Sequence, residues 1–303
     1  MTQALTLDEA YATCRAIAKR EAKNFYYAFL ALPAERKNAI CAVYAFMRKA
    51  DDLADDESLP HEERRRELDA WLSAWHLAAT GEATTDPVFF AVRDATQRFA
   101  IPVSLLDELV ARTTMDLEPA GGKIPDTYAT FADLYQYCYL VASIVGLVCI
   151  RIFGYTDRAA EKLAEETGIA FQLTNILRDV AEDAERNRIY LPVEDIVAHN
   201  LSVNALLTRR SGAAPTANER ALLAEIAGRA ERYYQSAQAL LPLIHRESRP
   251  ALWVLVSIYH ALLKRIERAD YDIFTRRASV PLAQKLSILS LGMARVAAVR
   301  LFG

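Results

Sequence analysis

Gln172-Leu173-Thr174-Asn175-Ile176-Leu177-Arg178-Asp179-Val180-Ala181-Glu182-Asp183 is the stretch on which the reading of this chain turns. Residues four apart lie nearly above one another on a helix, so Asn175, Asp179 and Asp183 form a ladder two turns long. Gln172 stands on the same face amid apolar neighbours, and such a polar stripe is costly to bury without a partner. A second run, Asp51-Asp52-Leu53-Ala54-Asp55-Asp56, repeats the spacing: Asp51 stacks with Asp55, and Asp52 with Asp56. Ala45, Phe46, Met47 and Leu53 give that helix an apolar side. Stacked like charges destabilise a helix, so something positive should compensate. Hard oxygen ligands on rigid helices suit magnesium, which also keeps waters and substrate phosphates. Two such faces across one cavity would hold a metal-bound diphosphate. Arg178 and Arg188 can give bidentate contacts to phosphate, and Arg48 precedes the first acids by one turn.

The rest of the chain reads as helix around this pair. Prolines punctuate it at long intervals, and the segments between are rich in Ala, Leu, Glu and Arg, which are good helix formers. The pattern predicts helices near 8–30, 34–57, 61–79, 87–99, 103–117, 127–153, 157–185, 217–245, 249–275 and 281–300. Between Thr127 and Gly154 the only charges are Asp133 and Arg151, so this helix is expected at the centre. Strand-like alternation is absent from every segment of useful length. No Gly- or Ser-rich linker divides the 303 residues. The expectation is one all-α domain over 1–303, a helical bundle around an apolar cavity.

Composition narrows the function. With 52% hydrophobic residues and 25% charged, the chain has enough apolar surface for a large core. A net charge of −3 lacks the basic surplus of a nucleic-acid binder. Cys14, Cys41, Cys138 and Cys149 are scattered, without metal-ligand or CxxC spacing, which favours reduced thiols in the cytoplasm. The N-terminus has no signal-peptide pattern, and Ala251–Leu263 is too short an apolar run to span a bilayer. A soluble chain, or one peripheral on a membrane during product release, is expected, with no stable protein partner.

Here a resemblance enters. Asp51-Asp52-Leu53-Ala54-Asp55 resembles the first aspartate-rich motif of the squalene/phytoene synthase family, and Gln172 to Asp183 followed by Arg188-Ile189-Tyr190-Leu191-Pro192 resembles the second. Lys23-Asn24-Phe25-Tyr26-Tyr27-Ala28-Phe29, Tyr44 to Arg48, Met115-Asp116-Leu117, Tyr137 to Ser143 and Ala269 to Asp272 resemble further blocks, so the likeness spans about residues 14 to 290. It implies an isoprenoid-synthase-type fold and head-to-head joining of two allylic isoprenoid diphosphates. By matching position, Asp51, Asp55, Asp179 and Asp183 would hold Mg2+, with Asp52 and Asn175 assisting. Lys23, Arg48, Arg178 and Arg188 would hold diphosphate oxygens. Tyr137 would stand near the carbocation, Phe25, Tyr44 and Tyr259 would line the site, and Gln172 would orient groups beside the second motif.

The chemistry suits these residue types. Metal ions and guanidinium groups stabilise a departing diphosphate, a dry cavity shields the allylic cation, and aromatic faces stabilise it without attacking. Asn24, Leu140 and Ser143-Ile144 depart from the family's commonest residues near the pocket and leave the product open. The reading favours farnesyl diphosphate, giving presqualene diphosphate or squalene for hopanoid-type synthesis. Phytoene from geranylgeranyl diphosphate and hydroxysqualene from presqualene diphosphate are the alternatives. Squalene would need a hydride donor, and the missing GxGxxG does not exclude NADPH, because reducing members of the family resemble this chain in having no dinucleotide-binding domain. A class I terpene cyclase uses similar acidic helices but does not share the Gln172–Asp183 string. A di-iron bundle would need Glu-x-x-His pairs, which none of the five histidines makes.

Overall fold

The computed structural model describes residues 5–56, 58–116, 127–209 and 212–302, with the side chains of Lys23, Asn24, Arg112, 114–116 and 298–302 outside that description. The predicted ends at Glu57 and Leu117, and the predicted loop at Gly121-Gly122, lie outside it too. The first helices are α1 (Leu7–Glu21), α2 (Lys23–Phe29), α3 (Ala34–Ala54), α4 (His61–Ala79), α5 (Pro87–Arg98) and α6 (Val103–Asp116). Next come α7 (Phe131–Cys138), a π turn (Tyr139–Ser143), α8 (Ile144–Phe153) and the long α9 (Ala159–Glu185). The short α10 (Val193–Ala198) and α11 (Val203–Leu207) lead to α12 (Ala217–Leu240), α13 (Arg249–Arg268) and α14 (Leu282–Phe302).

The starts of these helices are written locally. Thr6 with Glu9, Thr130 with Asp133 and Thr216 with Glu219 form capping boxes in which hydroxyl and carboxylate satisfy free amides at opposite ends of the first turn. Asp86 caps α5, and Pro87 takes the first helical position, where its missing N–H costs nothing. Helix α9 lies at the centre: α12, the π turn, α8 and α13 all pack on it. Helices α1, α3 and α5 form the adjoining layer, and α13 carries α2 and α14.

Several expectations are corrected. The predicted 8–30 helix is two, broken at Ala22, and α13 stops at Arg268 where 275 was expected. A two-stranded parallel ribbon is present, pairing β1 (Thr127–Tyr128) with β2 (Ile189–Pro192). Strands of two and four residues are too short to show a period, which is why the pattern missed them. The central segment therefore begins at Phe131. Over Phe131–Phe153 it is long and apolar enough to cross a membrane by composition, yet it packs on α3, α6 and α9 and turns side chains toward an internal cavity.

Candidate active site

Two helix rows run along one cavity and continue into acidic side chains. On α3 the lining residues are Ile40, Val43, Tyr44 and Met47, and the next turn carries Asp51. On α9 they are Ala164, Thr167, Gly168, Phe171, Gln172 and Asn175, and the next two turns carry Asp179 and Asp183. The cavity of about 230 Å3 is closed by Val141, Ala142, Val145, Gly146, Cys149, Ile150 and Phe153 from the central segment, by Phe25, Ala28 and Phe29 of α2, and by Leu240, Leu252, Leu255 and Tyr259. The eleven helical rises of α9 from Ala164 to Asn175 give it a length of about 16 Å. Small side chains at Ala142, Gly146, Cys149, Ala164 and Gly168 keep that length open.

The first acidic run is only partly helical. Helix α3 ends at Ala54, and Asp55 is its cap, with its amide still donating to the Asp51 carbonyl at 2.9 Å. Asp55 thus stays one turn above Asp51, exposed. Asp56 has left the helix and accepts from the Ser58 amide at 3.0 Å, so the expected Asp52–Asp56 stack does not form. Asp52 instead pairs with Arg48 at 2.6 Å, and Asp51 accepts from the Thr113 hydroxyl at 3.2 Å.

The second run keeps its ladder. Arg178 Nε donates to Asp179 Oδ1 at 2.7 Å, with its Nη2 on the other oxygen, and Arg277 reaches the same Oδ1 from Nε and Nη2 at 3.0 and 2.7 Å. Arg277 also bridges Glu182 at 2.9 Å. Burial works to raise the Asp179 pKa, but Arg178 and then Arg277 prevail and hold it below the usual carboxylate range. Asp183 is less well compensated: burial, then the Asp179 charge, outweigh Arg186 and Arg188 and push its carboxyl up to about 6. Helix α9 ends because Asn187 takes a left-handed conformation (φ 59°) that turns the chain toward β2. The Arg188 amide then donates to the Asp183 carbonyl at 2.9 Å, which fixes Arg188 at the acidic end.

The aromatic assignments divide. Phe25, Tyr44 and Tyr259 line the cavity: the Tyr259 ring stacks on Phe171 with centroids 4.5 Å apart and meets Phe25 at 5.5 Å. Burial pushes the Tyr259 hydroxyl up to about 12, against Arg178 and a hydrogen bond from Asn175. Tyr137 is not on the cavity lining. It stacks on Tyr190 at 5.0 Å beside Tyr128, and the Tyr190 hydroxyl accepts from Arg188 at 3.4 Å. That places Tyr137 on the Arg188 side of the acidic end. Lys23 opens α2, with its side chain outside the description.

Sequence reasoning missed Arg277, which stands 98 residues from Asp179 in a loop and lines a surface cleft with Arg265, Arg268 and Arg276. The only signal was the Arg276-Arg277 pair after the Asp270–Asp272 block. It also missed Thr113 and the two glycines at the contact between the central segment and α9, Gly146 on the former and Gly168 on the latter.

Do these residues fit a divalent cation? Asn175 Oδ1 is buried without a hydrogen-bond partner while its Nδ2 donates to Gln172 Oε1 at 3.3 Å. Two arginines crowd the carboxylate of Asp179, as cations crowd a strongly negative locus. The donors are all hard oxygens. Among the described residues no three carboxylates, cysteines or histidines converge on one point. That suits an ion held by one or two carboxylates, with waters and phosphate oxygens completing its shell.

A raised carboxyl pKa has a sign that can be tested without metal. Between an ordinary value of about 4 and the folded value, native Asp183 binds more protons than the unfolded chain, so stability falls as pH rises. In chelator, the melting temperature of Asp183→Asn should gain on that of the unaltered chain as pH goes from about 4 to 6, and the difference should hold level above. Parallel melting curves across that window would contradict the half-buried Asp183 whose carboxyl the Asp179 charge disfavours.

A helical shell around an apolar cavity, with carboxylates and arginines at one end, is the isoprenoid-synthase fold. A dehydrosqualene synthase crystal structure superposes with a TM-score of 0.80 at 29% identity, covering 96% of this chain and 98% of the other. The squalene synthase HpnC from Alicyclobacillus acidocaldarius gives 0.77 at 27%, covering 88% and 96%. In sequence the chain is 34% identical to the 15-cis-phytoene synthase of Synechococcus elongatus, over 96% of its own length and 94% of the relative's. It is also 34% identical to the phytoene synthase of Mycobacterium tuberculosis, over 95% and 92%. The family model for squalene/phytoene synthase matches residues 18–284. The chain belongs to the squalene/phytoene synthase family, and it is a prenyltransferase.

Proposed function

We propose that this enzyme couples two geranylgeranyl diphosphates head to head into phytoene. The observation that carries the reading is the apolar cavity itself, about 16 Å long, kept open by small side chains and lined by rows of α3 and α9 that run on into the acids. The choice of the longer substrate draws on sequence relatives named phytoene synthases at 34% identity over nearly the whole chain. It departs from the farnesyl expectation, which retains support from the dehydrosqualene synthase likeness at 29% identity.

In this reading Asp51, Asp55, Asn175, Asp179 and Asp183 hold magnesium, with Asp52 beside them. The bound metal supplies charge stabilisation to the departing diphosphate. Arg178, Arg188, Arg48 and Arg277 bind diphosphate oxygens. Gln172 holds the Asn175 amide in place. The C–O bond of one substrate breaks and its electron pair leaves with the diphosphate. The double bond of the second substrate attacks the allylic cation, and a proton is lost to close a cyclopropane. Loss of the second diphosphate, rearrangement and loss of a second proton give a conjugated triene with no reductant consumed. Tyr259, Phe171, Phe25 and Tyr44 present ring faces to the cations, and the cavity wall excludes the water that would quench them. Tyr137 acts from the Arg188 side, through Tyr190.

The test is product identification with each diphosphate, magnesium, and NADPH present or withheld. Phytoene from the geranylgeranyl substrate, at the same rate in both conditions, is the expected result. Turnover of the farnesyl substrate alone, with NADPH shifting the product to squalene, would replace this reading and leave the family assignment standing.

A further inference from the structure

The walls of the apolar cavity end together at the pole opposite the acids. Helix α3 starts there, and Ile40 is its first lining residue, with Asp51 near the helix's other end. Helix α9 starts there too, with Ala164 its first lining residue and Asp179 far along it. The central segment runs the other way: Gly146 faces the Ala164 carbonyl, and α8 continues past that level to stop at Phe153. Helix α12 ends at Leu240 and α13 begins at Arg249, with Leu240 and Leu252 on the lining. Phe153 is the last lining residue of α8 and is buried among these helix ends, so it forms the cavity floor.

The last carbonyls of a helix have no partner within it, so a floor made of helix ends needs an outside fastening. One side chain supplies it. Arg36, in the first turn of α3 and 15% exposed, donates from Nη1 to the Phe153 carbonyl oxygen and to the Ser248 hydroxyl, the latter at 2.6 Å. Its Nη2 pairs with Glu247 at 2.7 Å and lies 3.4 Å from His245 Nδ1. Ser248 is fully buried at the start of α13. Arg36 thus ties α3, α8 and α13 at one point, and its charge suits the negative end of α8. The chain after Phe153 has no slack either. Gly154 has a φ of 72°, which glycine alone adopts freely, and its carbonyl accepts from the His245 amide at 2.9 Å. A Cβ at Gly154 would sit 2.3 Å from His245 Nδ1. Arg36 itself is not on the cavity lining and stands at the far pole from the acids.

We infer that Phe153 limits the length of prenyl chain the cavity accepts, and that Arg36 is the positioning residue that holds Phe153 at that depth. The inference deepens the coupling reading above and rests on it for the nature of the chains. A ring at the end of an apolar cavity rejects a longer chain by contact, and that contact discriminates only while the ring cannot retreat. Without Arg36 the Phe153 carbonyl and the Ser248 hydroxyl would lose their partner in a buried place, and the helix ends would part to find others.

The test is the rate of diphosphate release from farnesyl, geranylgeranyl and geranylfarnesyl diphosphates with magnesium, read as the ratio of kcat/KM for each longer substrate over the next shorter one. Phe153→Ala should raise that ratio by about tenfold, the scale on which apolar pockets tell chain lengths apart. Arg36→Lys keeps the charge but cannot hold α8 and α13 at once, and should raise it by about threefold. If Arg36→Lys does not fold, Ser248→Ala removes one anchor of the clamp and carries the same expectation. Trp75→Phe, in a buried aromatic cluster off the cavity lining, controls for lost stability and should leave the ratio as it is. The readout is a shift between substrates, so it can be judged whichever diphosphate the unaltered chain prefers. A farnesyl preference would overturn the geranylgeranyl reading alone. A folded Phe153→Ala with the ratio unaltered, or with all three substrates slowed alike, would overturn the length limit. A shift in Phe153→Ala with none in the clamp variants would overturn the role of Arg36, as would an equal shift in Trp75→Phe.

Discussion

Asp179→Asn should lower turnover by about a hundredfold to a thousandfold or more, the scale on which a single preorganised electrostatic contact to developing charge is lost. The side chain is 18% exposed and lies where the α9 cavity row meets the acidic end. Its carboxylate has two arginines hydrogen-bonded to it already, whereas on Asp183, one turn on, burial and the Asp179 charge outweigh Arg186 and Arg188. Asparagine keeps the shape and removes the charge. A magnesium ion would lose its least protonated partner on α9, and Arg178, itself only 19% exposed, would lose the carboxylate that offsets its burial. The second effect should also cost stability, because a cation left unpaired in a partly buried site is worse than the pair. Arg277 is 52% exposed and can be resolvated, so the structural loss should be a few degrees of melting temperature and not unfolding. The measurements are diphosphate release, magnesium titration by calorimetry and a thermal melt. A folded Asp179→Asn with turnover within about threefold of the unaltered enzyme, far short of the expected electrostatic loss, would remove Asp179 from the mechanism.

The sequence made some of this legible and hid the rest for definite reasons. The ladder Asn175–Asp179–Asp183 could be seen because it lies on one uninterrupted helix, where spacing maps directly onto a face. The single-domain, all-α reading needed only the recurrence of helix formers between prolines. Asp56 was misplaced because helical spacing says nothing of where a helix stops; the Ser58 hydrogen bond to its carboxylate ends α3 one turn early. Arg277 was invisible because no local pattern relates a loop to a helix 98 residues away. The Tyr137 assignment came from motif likeness alone, and the structure sets that ring in a stack with Tyr190, off the cavity lining. The π turn at Tyr139–Ser143 has no compositional signature at all. It is a local widening of the helix that tertiary packing selects, and such turns gather at functional sites.

That packing makes Gly168 the position outside the acidic ladder where a minimal change should do the most damage. A Cβ at Gly168 would lie 2.6 Å from Ser143 Cα, 2.8 Å from Ser143 N and 2.8 Å from the Ala142 carbonyl carbon. These are backbone atoms of the π turn, not the yielding end of a flexible side chain. Ser143 is itself tied down, since its buried hydroxyl donates to the Glu165 carbonyl at 2.7 Å one turn before Gly168. The two segments therefore cannot separate by a few tenths of an ångström without breaking that bond and opening the cavity wall they form together. Overpacking a core usually costs about 1–3 kcal/mol, and more where the neighbours cannot shift. Gly168→Ala should fall at or above the top of that range, and Gly168→Val should leave no folded protein to assay. Gly228, in the middle of α12 with open space around its would-be Cβ, is the internal control. There Gly228→Ala should stabilise by up to about 1 kcal/mol through helix propensity alone. Urea denaturation of both alanine variants decides the matter. If Gly168→Ala is as stable as the unaltered chain, the close approach of α9 to the π turn is not what shapes the cavity.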